Sequence, residues 1–251
     1  MSDTCDRSAW LKGPAFECES AKPAPGRAYR MVLLGAPGVG KGTQAELLCD
    51  RLSTCQLSTG DVFRAAKCMD PSELSPAMEK ALGHMQRGEL VPDDTVIDMV
   101  RERVGCLKCK YGFLLDGFPR TVAQAEALDG MLSALGLQID AVLSYELPME
   151  QVIARLAGRR TCRSCKTTFH VDSKPPVKEG VCDKCGGELY TREDDRAEAI
   201  RVRLQAYEDS TAPLVHYYEA HGSLITVSAA GAPAEVFKRA LKLLGEKVGL
   251  E

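Results

Sequence analysis

Four absences narrow what this chain of 251 residues can be. No apolar run approaches the ~20 residues needed to span a bilayer, which argues against a membrane role. Positive charge is not in excess: 32 Lys and Arg stand against 35 Asp and Glu, a net charge of −3. No global basic field therefore draws the chain onto nucleic acid or an anionic membrane. No segment repeats with a period of 20 to 50 residues, which excludes a solenoid. The first 29 residues carry no apolar h-region, which excludes a secretory signal. With Pro23, Pro25, Ser20 and scattered charges, residues 1–29 read as a flexible leader. Asp3, Asp6, Glu17 and Glu19 count against an organellar transit peptide, and docking through Trp10-Leu11 stays open beside a solvated tail.

What is present is ordinary in bulk and specific in detail. Hydrophobic residues make up 45% and charged residues 27%, the composition of a soluble globular protein with room for one large α/β domain and inserts. Its most specific stretch is Gly35-Ala36-Pro37-Gly38-Val39-Gly40-Lys41-Gly42-Thr43. An apolar run, Met31 to Leu34, precedes it, and Gln44-Ala45-Glu46-Leu47-Leu48 follows with helical character. Strand, glycine loop, lysine and helix is the order of a phosphate cradle. Glycines let the backbone turn several N–H groups toward one anion. The helix start adds its positive dipole end, and Lys41 adds a full charge. Gly42 occupies the slot after the lysine, where Ser or Thr is usual, and the hydroxyl comes one residue later at Thr43. The stretch is a P-loop variant.

Further apolar runs alternate with helical patterns. Gln56-Leu57-Ser58, Phe113-Leu114-Leu115, Ala141-Val142-Leu143 and Leu224 to Val227 read as strands. Helices are expected over Thr121 to Leu135, over Arg196 to Tyr218, and at the end, where Phe237, Leu241, Leu244 and Val248 recur at helical spacing. The fold class is therefore α/β, a parallel sheet flanked by helices. Ligands of such sheets sit at the carboxyl ends of the strands. The P-loop, the Ser58-Thr59-Gly60-Asp61 turn and the Asp116-Gly117-Phe118-Pro119-Arg120 turn all fall there. Two stretches interrupt the alternation: a helical one over Ser58 to Val91, and one over Gly158 to Asp195 that reads as a small insert of turns and short strands.

The second insert holds Cys162-Arg-Ser-Cys165 and Cys182-Asp-Lys-Cys185, with sixteen residues between the pairs. Two such knuckles supply four thiolates to one tetrahedral ion. With 11 cysteines in the chain, chance gives about half of one Cys-x-x-Cys pair, so two in one insert point to structural zinc. Two disulfides or uncoordinated thiols are the other reading. Cys106-Leu-Lys-Cys109 has no second pair nearby and reads as thiols in a turn before the Phe113 strand, with a redox role as the alternative. Cys5, Cys18, Cys49, Cys55 and Cys68 show no motif. Zinc together with unpaired cysteines suggests a reducing compartment, the cytoplasm. His84, His170, His216 and His221 are isolated in sequence, and only His170 lies inside the cysteine insert.

In this combination and order, the motifs resemble the adenylate kinase family, specifically its long-lid type with a four-cysteine lid. The resemblance runs from about Tyr29 to Gly249 and includes Gly158-Arg159-Arg160 and Thr191-Arg192-Glu193-Asp194-Asp195. Gly42-Thr43 after the lysine is how that family writes its P-loop. The resemblance implies a P-loop core over residues 30–57, 92–157 and 196–251, an AMP-binding insert over 58–91, and a zinc lid over 158–195. It implies that Gly35, Gly38, Val39, Gly40, Lys41, Gly42 and Thr43 hold the ATP phosphates, with Arg155 against the adenine and Arg159 at the phosphates. It assigns AMP to Thr59, Arg64, Gly117, Arg120 and Gln124, with backbone contacts from Gly88, Glu89, Leu90 and Val91. Arg192 and Arg203 would meet the phosphates in transfer, and Asp116 would orient magnesium through water. Lys41, Arg120, Arg159, Arg192 and Arg203 form the implied catalytic set. Thr59 favours AMP, because related pyrimidine monophosphate kinases usually carry a smaller residue there. Asp194 and Asp195 are expected to hold Arg159 and Arg192 in ion pairs while the lid is open. The implied reaction makes two ADP from Mg-ATP and AMP in a monomer. Two alternatives remain: another acceptor or a GTP donor, and a zinc-ribbon ATPase that grips nucleic acid. No basic stripe with interleaved aromatics favours the last.

Overall fold

A computed structural model describes residues 27–66, 76–87 and 89–250; the side chains of Arg64 and of residues 76–80 lie outside the description. Five strands form one sheet: β1 (Tyr29–Leu34), β2 (Cys55–Ser58), β3 (Gly112–Asp116), β4 (Ala141–Glu146) and β8 (Leu224–Ser228), in the order β2-β3-β1-β4-β8. Every neighbouring pair is parallel. Each expected strand is present and extends one to three residues beyond its apolar run.

The sheet is buried on both faces, which is why its strands read as continuous apolar runs rather than alternating ones. Met31, Leu33, Leu114 and Leu143 face α1 (Lys41–Leu52) and α10 (Pro233–Val248), which supply Ala45, Leu48, Leu52, Val236, Ala240 and Leu244. Val32, Leu34, Leu57, Phe113, Leu115 and Val142 face the other way. They pack with α4 (Asp93–Glu102), α6 (Val122–Ala134) and α9 (Pro213–Ala220), through Val96, Val100, Leu128, Leu132, Leu214 and Tyr218. The helical stretch after β2 contains α2 (Thr59–Ala66) and α3 (Pro76–Arg87). Cys106 belongs to a one-turn helix, α5 (Val104–Leu107), so only Cys109 stands in the expected turn.

The cysteine insert follows α7 (Met149–Ala157). It is a three-stranded antiparallel sheet of β5 (Arg159–Cys162), β6 (Thr168–His170) and β7 (Leu189–Tyr190), with β5 in the middle. Its own core is small: Cys162, Phe169, Cys182 and Leu189.

The stretch expected to be one helix from Arg196 to Tyr218 is broken. It forms α8 (Ala197–Ala206), a π-helical turn (Tyr207–Thr211) and α9. Pro213 explains the break: it has no N–H for an interior helical bond and sits instead in the first turn of α9. The wide turn is closed by the Ala212 N–H to the Tyr207 carbonyl at 2.8 Å. It lets Thr211 Oγ1 donate to the Arg120 carbonyl at 2.8 Å, so the irregularity reaches the site described next. No helix among the described residues is long and apolar enough to cross a membrane.

Candidate active site

The carboxyl ends of β1, β2 and β3 open into one cavity of about 1900 Å³, roofed by the cysteine insert. On its floor the P-loop turns on glycines. Gly35, Gly38 and Gly40 have φ of 133°, 85° and 109°, a region closed to most side chains. Gly38 also has no room: a Cβ would lie 2.5 Å from Leu156 Cγ. No side chain caps the start of α1, so its first N–H groups are left for a ligand. Asp116, at the end of β3, lies across the same helix start; a Cβ on Gly42 would be 3.9 Å from its Oδ2.

Lys41 Nζ donates to the carbonyls of Gly35 at 2.5 Å and Ala36 at 3.0 Å. Burial pushes its ammonium down to about 8 from 10.5; Asp116 opposes this, while Arg120, Arg203 and Arg159 add to it. The lysine is thus part of a cluster of like charges.

Each of those arginines has an oxygen to bind. Arg120 Nε donates to the Gly117 carbonyl at 2.9 Å, and Thr59 Oγ1 donates to the same oxygen at 2.8 Å. The Arg120 N–H donates to Gln124 Oε1 at 2.8 Å, and Gln124 Nε2 donates to Asp93 at 2.7 Å. Thr121 caps α6 by accepting from the Gln124 N–H. Arg155 bridges the Val39 and Ala229 carbonyls, each at 3.0 Å, tying the P-loop to the loop after β8. Arg159 makes a two-pronged pair with Asp195 at 2.7 and 2.5 Å, and Arg203 reaches the same carboxylate at 3.1 Å. Arg203 also pairs with Asp194 at 2.9 Å. The Asp195 side chain is 0% exposed, so these arginines compensate a wholly buried charge.

In the roof, the sulfurs of Cys162, Cys165, Cys182 and Cys185 all lie within 4.8 Å of one another. Each knuckle is turned by a backbone bond: Lys166 N–H to the Cys162 carbonyl at 3.2 Å, and Gly186 N–H to the Cys182 carbonyl at 2.8 Å. Four convergent thiols are the donor set of a closed, tetrahedral soft-metal site.

Residues 33–223 match the family model for adenylate kinase. The chain belongs to the adenylate kinase family. It is 51% identical to the adenylate kinase of Caldicellulosiruptor bescii over 216 residues, which is 86% of this chain and 99% of that one. It is 48% identical to that of Thermodesulfovibrio yellowstonii over 218 residues, 87% of this chain and 100% of the relative. It is 49% identical to that of Streptomyces avermitilis over 216 residues, 86% and 96% of the two chains. The four-cysteine cluster fits the long-lid type of adenylate kinase.

Set beside the adenylate kinase expectations, the cavity gathers most of the named residues and leaves some out. The P-loop from Gly35 to Thr43 lines it through all the implied positions, as do Leu90, Asp116, Gly117, Arg120, Arg155, Arg159, Arg192 and Arg203. Thr59 and Gln124 are buried behind the wall, holding Gly117 and Arg120. Glu89 and Val91 do not line the cavity either. The Glu89 carboxylate is bonded to Arg87 at 2.7 and 2.8 Å and to His84 at 2.8 Å. Arg87 and His84 hold it down to about 2. The contacts expected of Gly88 and of the Arg64 side chain lie outside the described residues. The ion pairs expected of Asp194 and Asp195 are half as drawn: Asp195 takes Arg159, but Arg203 joins it, and Arg192 Nε donates to Thr161 Oγ1 at 2.9 Å.

Other lining residues were not singled out in the sequence. Thr168, Phe169 and Lys174 face the cavity from the roof, and Gly231 to Ala234 from the loop after β8. Only the strand-end position of that loop signals it; nothing in residue type does. Gln44 fixes this loop by donating to the Pro233 carbonyl at 2.9 Å.

Removing the buried carboxylate should leave Arg159 without its counter-charge and Arg203 with Asp194 alone. Asp195→Ala is expected to cost about 3 kcal/mol of unfolding free energy in nucleotide-free protein. Urea unfolding checks this, and a loss under about 1 kcal/mol would contradict the pairing.

Proposed function

We propose that this chain reversibly transfers the terminal phosphoryl group of Mg-ATP to AMP, forming two ADP. The observation that carries the reading is the cavity onto which the P-loop, Asp116 and seven arginines, among them Arg120, Arg155, Arg159, Arg192 and Arg203, open from both the core and the roof. An ionised phosphate oxygen of AMP is the nucleophile, so no general base is needed. The work left is positioning and charge neutralisation.

The donor phosphates suit the P-loop and the start of α1, with Lys41 leaving the Gly35 and Ala36 carbonyls for phosphate oxygens. Arg120 suits the acceptor phosphate, held in place by Gly117, Thr211 and Gln124. Arg159, Arg192 and Arg203 suit the phosphoryl group in flight, because a planar guanidinium grips two oxygens at once. Two bound nucleotides carry about six or seven negative charges, of which magnesium offsets two. The phosphates would compete with Asp195 for Arg159 and Arg203, which couples nucleotide binding to movement of the roof. Closure of the roof excludes the water that would otherwise accept the phosphoryl group.

Magnesium bound with ATP would supply charge compensation at the β- and γ-phosphates. Asp116, an acid at the end of β3 beside the start of α1, fits a role at its water shell. Zinc fits the four sulfurs of the roof. It would stiffen an insert whose own core holds four residues, and it would do no chemistry there. Thr59 supports AMP as acceptor through its family resemblance, and its hydroxyl is tied to the Gly117 carbonyl.

The test of the reaction is transfer from Mg-ATP to AMP, UMP, CMP and GMP, read as diphosphate formed. Fast and AMP-selective ADP formation is expected. Preference for another monophosphate would remove the Thr59 argument, and no transfer at all would overturn the reading. For the roof, mass spectrometry under non-denaturing conditions should find one zinc per chain. A chelator should lower the melting temperature by several degrees; metal-free protein of unchanged stability would contradict the assignment.

A further inference from the structure

Asp93 opens α4 directly after Leu90-Val91-Pro92, and it does not line the cavity. Its carboxylate reaches across to the start of α6. Oδ2 accepts from Thr121 Oγ1 at 2.9 Å, and Oδ1 accepts from Gln124 Nε2 at 2.7 Å. Two helix N-termini therefore meet on one carboxylate, and their positive dipole ends favour its charge. Thr121 is itself the cap of α6, its Oγ1 accepting from the Gln124 N–H at 3.2 Å.

Gln124 is 1% exposed, and the two ends of its amide are chemically opposite. The Arg120 N–H can only donate, so the group facing it must be Oε1. A carboxylate can only accept, so the group facing Asp93 must be Nε2. Both bonds select the same orientation, with Oε1 2.8 Å from the Arg120 nitrogen. A turned amide would set N–H against N–H and oxygen against oxygen, breaking both bonds at once.

We infer that Asp93 is a positioning residue for the acceptor phosphate: it locks the Gln124 amide, and the amide fixes the backbone from which the Arg120 guanidinium is aimed. The inference rests on the proposed phosphoryl transfer, in which Arg120 meets that phosphate. The Arg120 main chain is held at both ends, its N–H by Gln124 and its carbonyl by Thr211 Oγ1 at 2.8 Å. Its Nε is held by the Gly117 carbonyl at 2.9 Å, an oxygen that Thr59 also binds. The hold through Gln124 depends for its direction on a charge outside the cavity. Without Asp93 the amide loses the partner that chooses its orientation, and a buried Nε2 loses its acceptor. Misplacing a clamp by about 1 Å can cost about 10²-fold even when the change lies far from the reacting atoms. The donor side does not pass through Asp93. Lys41 and Arg155 are held by the carbonyls of Gly35, Ala36, Val39 and Ala229. The effect of losing Asp93 therefore falls on the acceptor alone.

The test uses the full, zinc-loaded chain and its D93A, D93N and V100A variants, with Mg-ATP and AMP varied separately. D93A is expected to raise KM for AMP about tenfold and to leave KM for ATP within about twofold of the native value. D93N keeps one acceptor oxygen of the two, so its KM for AMP should fall between; it also carries the test if D93A does not fold. V100A trims a wholly buried side chain of the same helix two turns further along. It should lower the urea midpoint and leave both KM values in place, which is the behaviour of a merely structural contact. KM for AMP within about twofold of native in both Asp93 variants, or KM for both nucleotides rising together, would overturn the inference and leave the transfer reaction standing. Native protein that makes no diphosphate from AMP would overturn the reading beneath it, and the inference with it.

Discussion

The structure is organised around a set of positive charges that repel one another. Lys41, Arg120, Arg159, Arg192 and Arg203 share one cavity with Arg155, and the Lys41 ammonium is pushed down first by burial, with Arg120, Arg203 and Arg159 adding to it. Unit charges a few ångströms apart repel by about 4 kcal/mol at an effective dielectric of 20. Such a cluster persists only if each member has somewhere to put its charge. Backbone carbonyls serve Lys41, Arg120 and Arg155. Asp195 serves Arg159 and Arg203 together. These oxygens occupy the role that phosphate oxygens would take over in a nucleotide complex.

The fold supplies that arrangement cheaply. A parallel sheet ends all its strands on one side, so the segments after β1, β2, β3 and β8 meet there without further design. The glycines of the P-loop add backbone donors where side chains would not fit. The π-helical turn before Pro213 is small in extent, yet it delivers the Thr211 hydroxyl to the Arg120 carbonyl. A regular helix through this stretch would present different residues to that carbonyl.

Local patterns made much of this legible in advance. The P-loop, the five strands, the two zinc-type knuckles and the arginines at the ends of the insert are written in contiguous residues with a fixed period or spacing. What could not be read depends on contacts between distant residues. Arg159 and Asp195 are 36 positions apart, and nothing local tells that Arg203 shares the same carboxylate while Arg192 turns to Thr161. Thr59 and Gln124 sit in motifs that resemble nucleotide contacts, yet here both hold the Gly117–Arg120 turn from behind. The meeting of Cys55 with Cys109, their sulfurs 3.1 Å apart, follows from strand pairing, which cysteine spacing does not encode. Cys109 keeps its thiol, and Cys55 is disulfide-bonded, which departs from the expectation of unpaired cysteines. The break in the long helix was foreshadowed by Pro213, but a proline fixes where a helix stops, not that a wide turn precedes it.

The central claim is that the cation cluster is held together before any nucleotide arrives. A nuclear magnetic resonance titration of the Lys41 ammonium in nucleotide-free protein, assigned with Lys41→Arg, tests it most directly. The account predicts a midpoint near 8, moving upward when ATP phosphates enter the cavity. A midpoint at the ordinary lysine value of 10.5, unchanged by ATP, would mean that Lys41 is neither buried beside the arginines nor meets the phosphates.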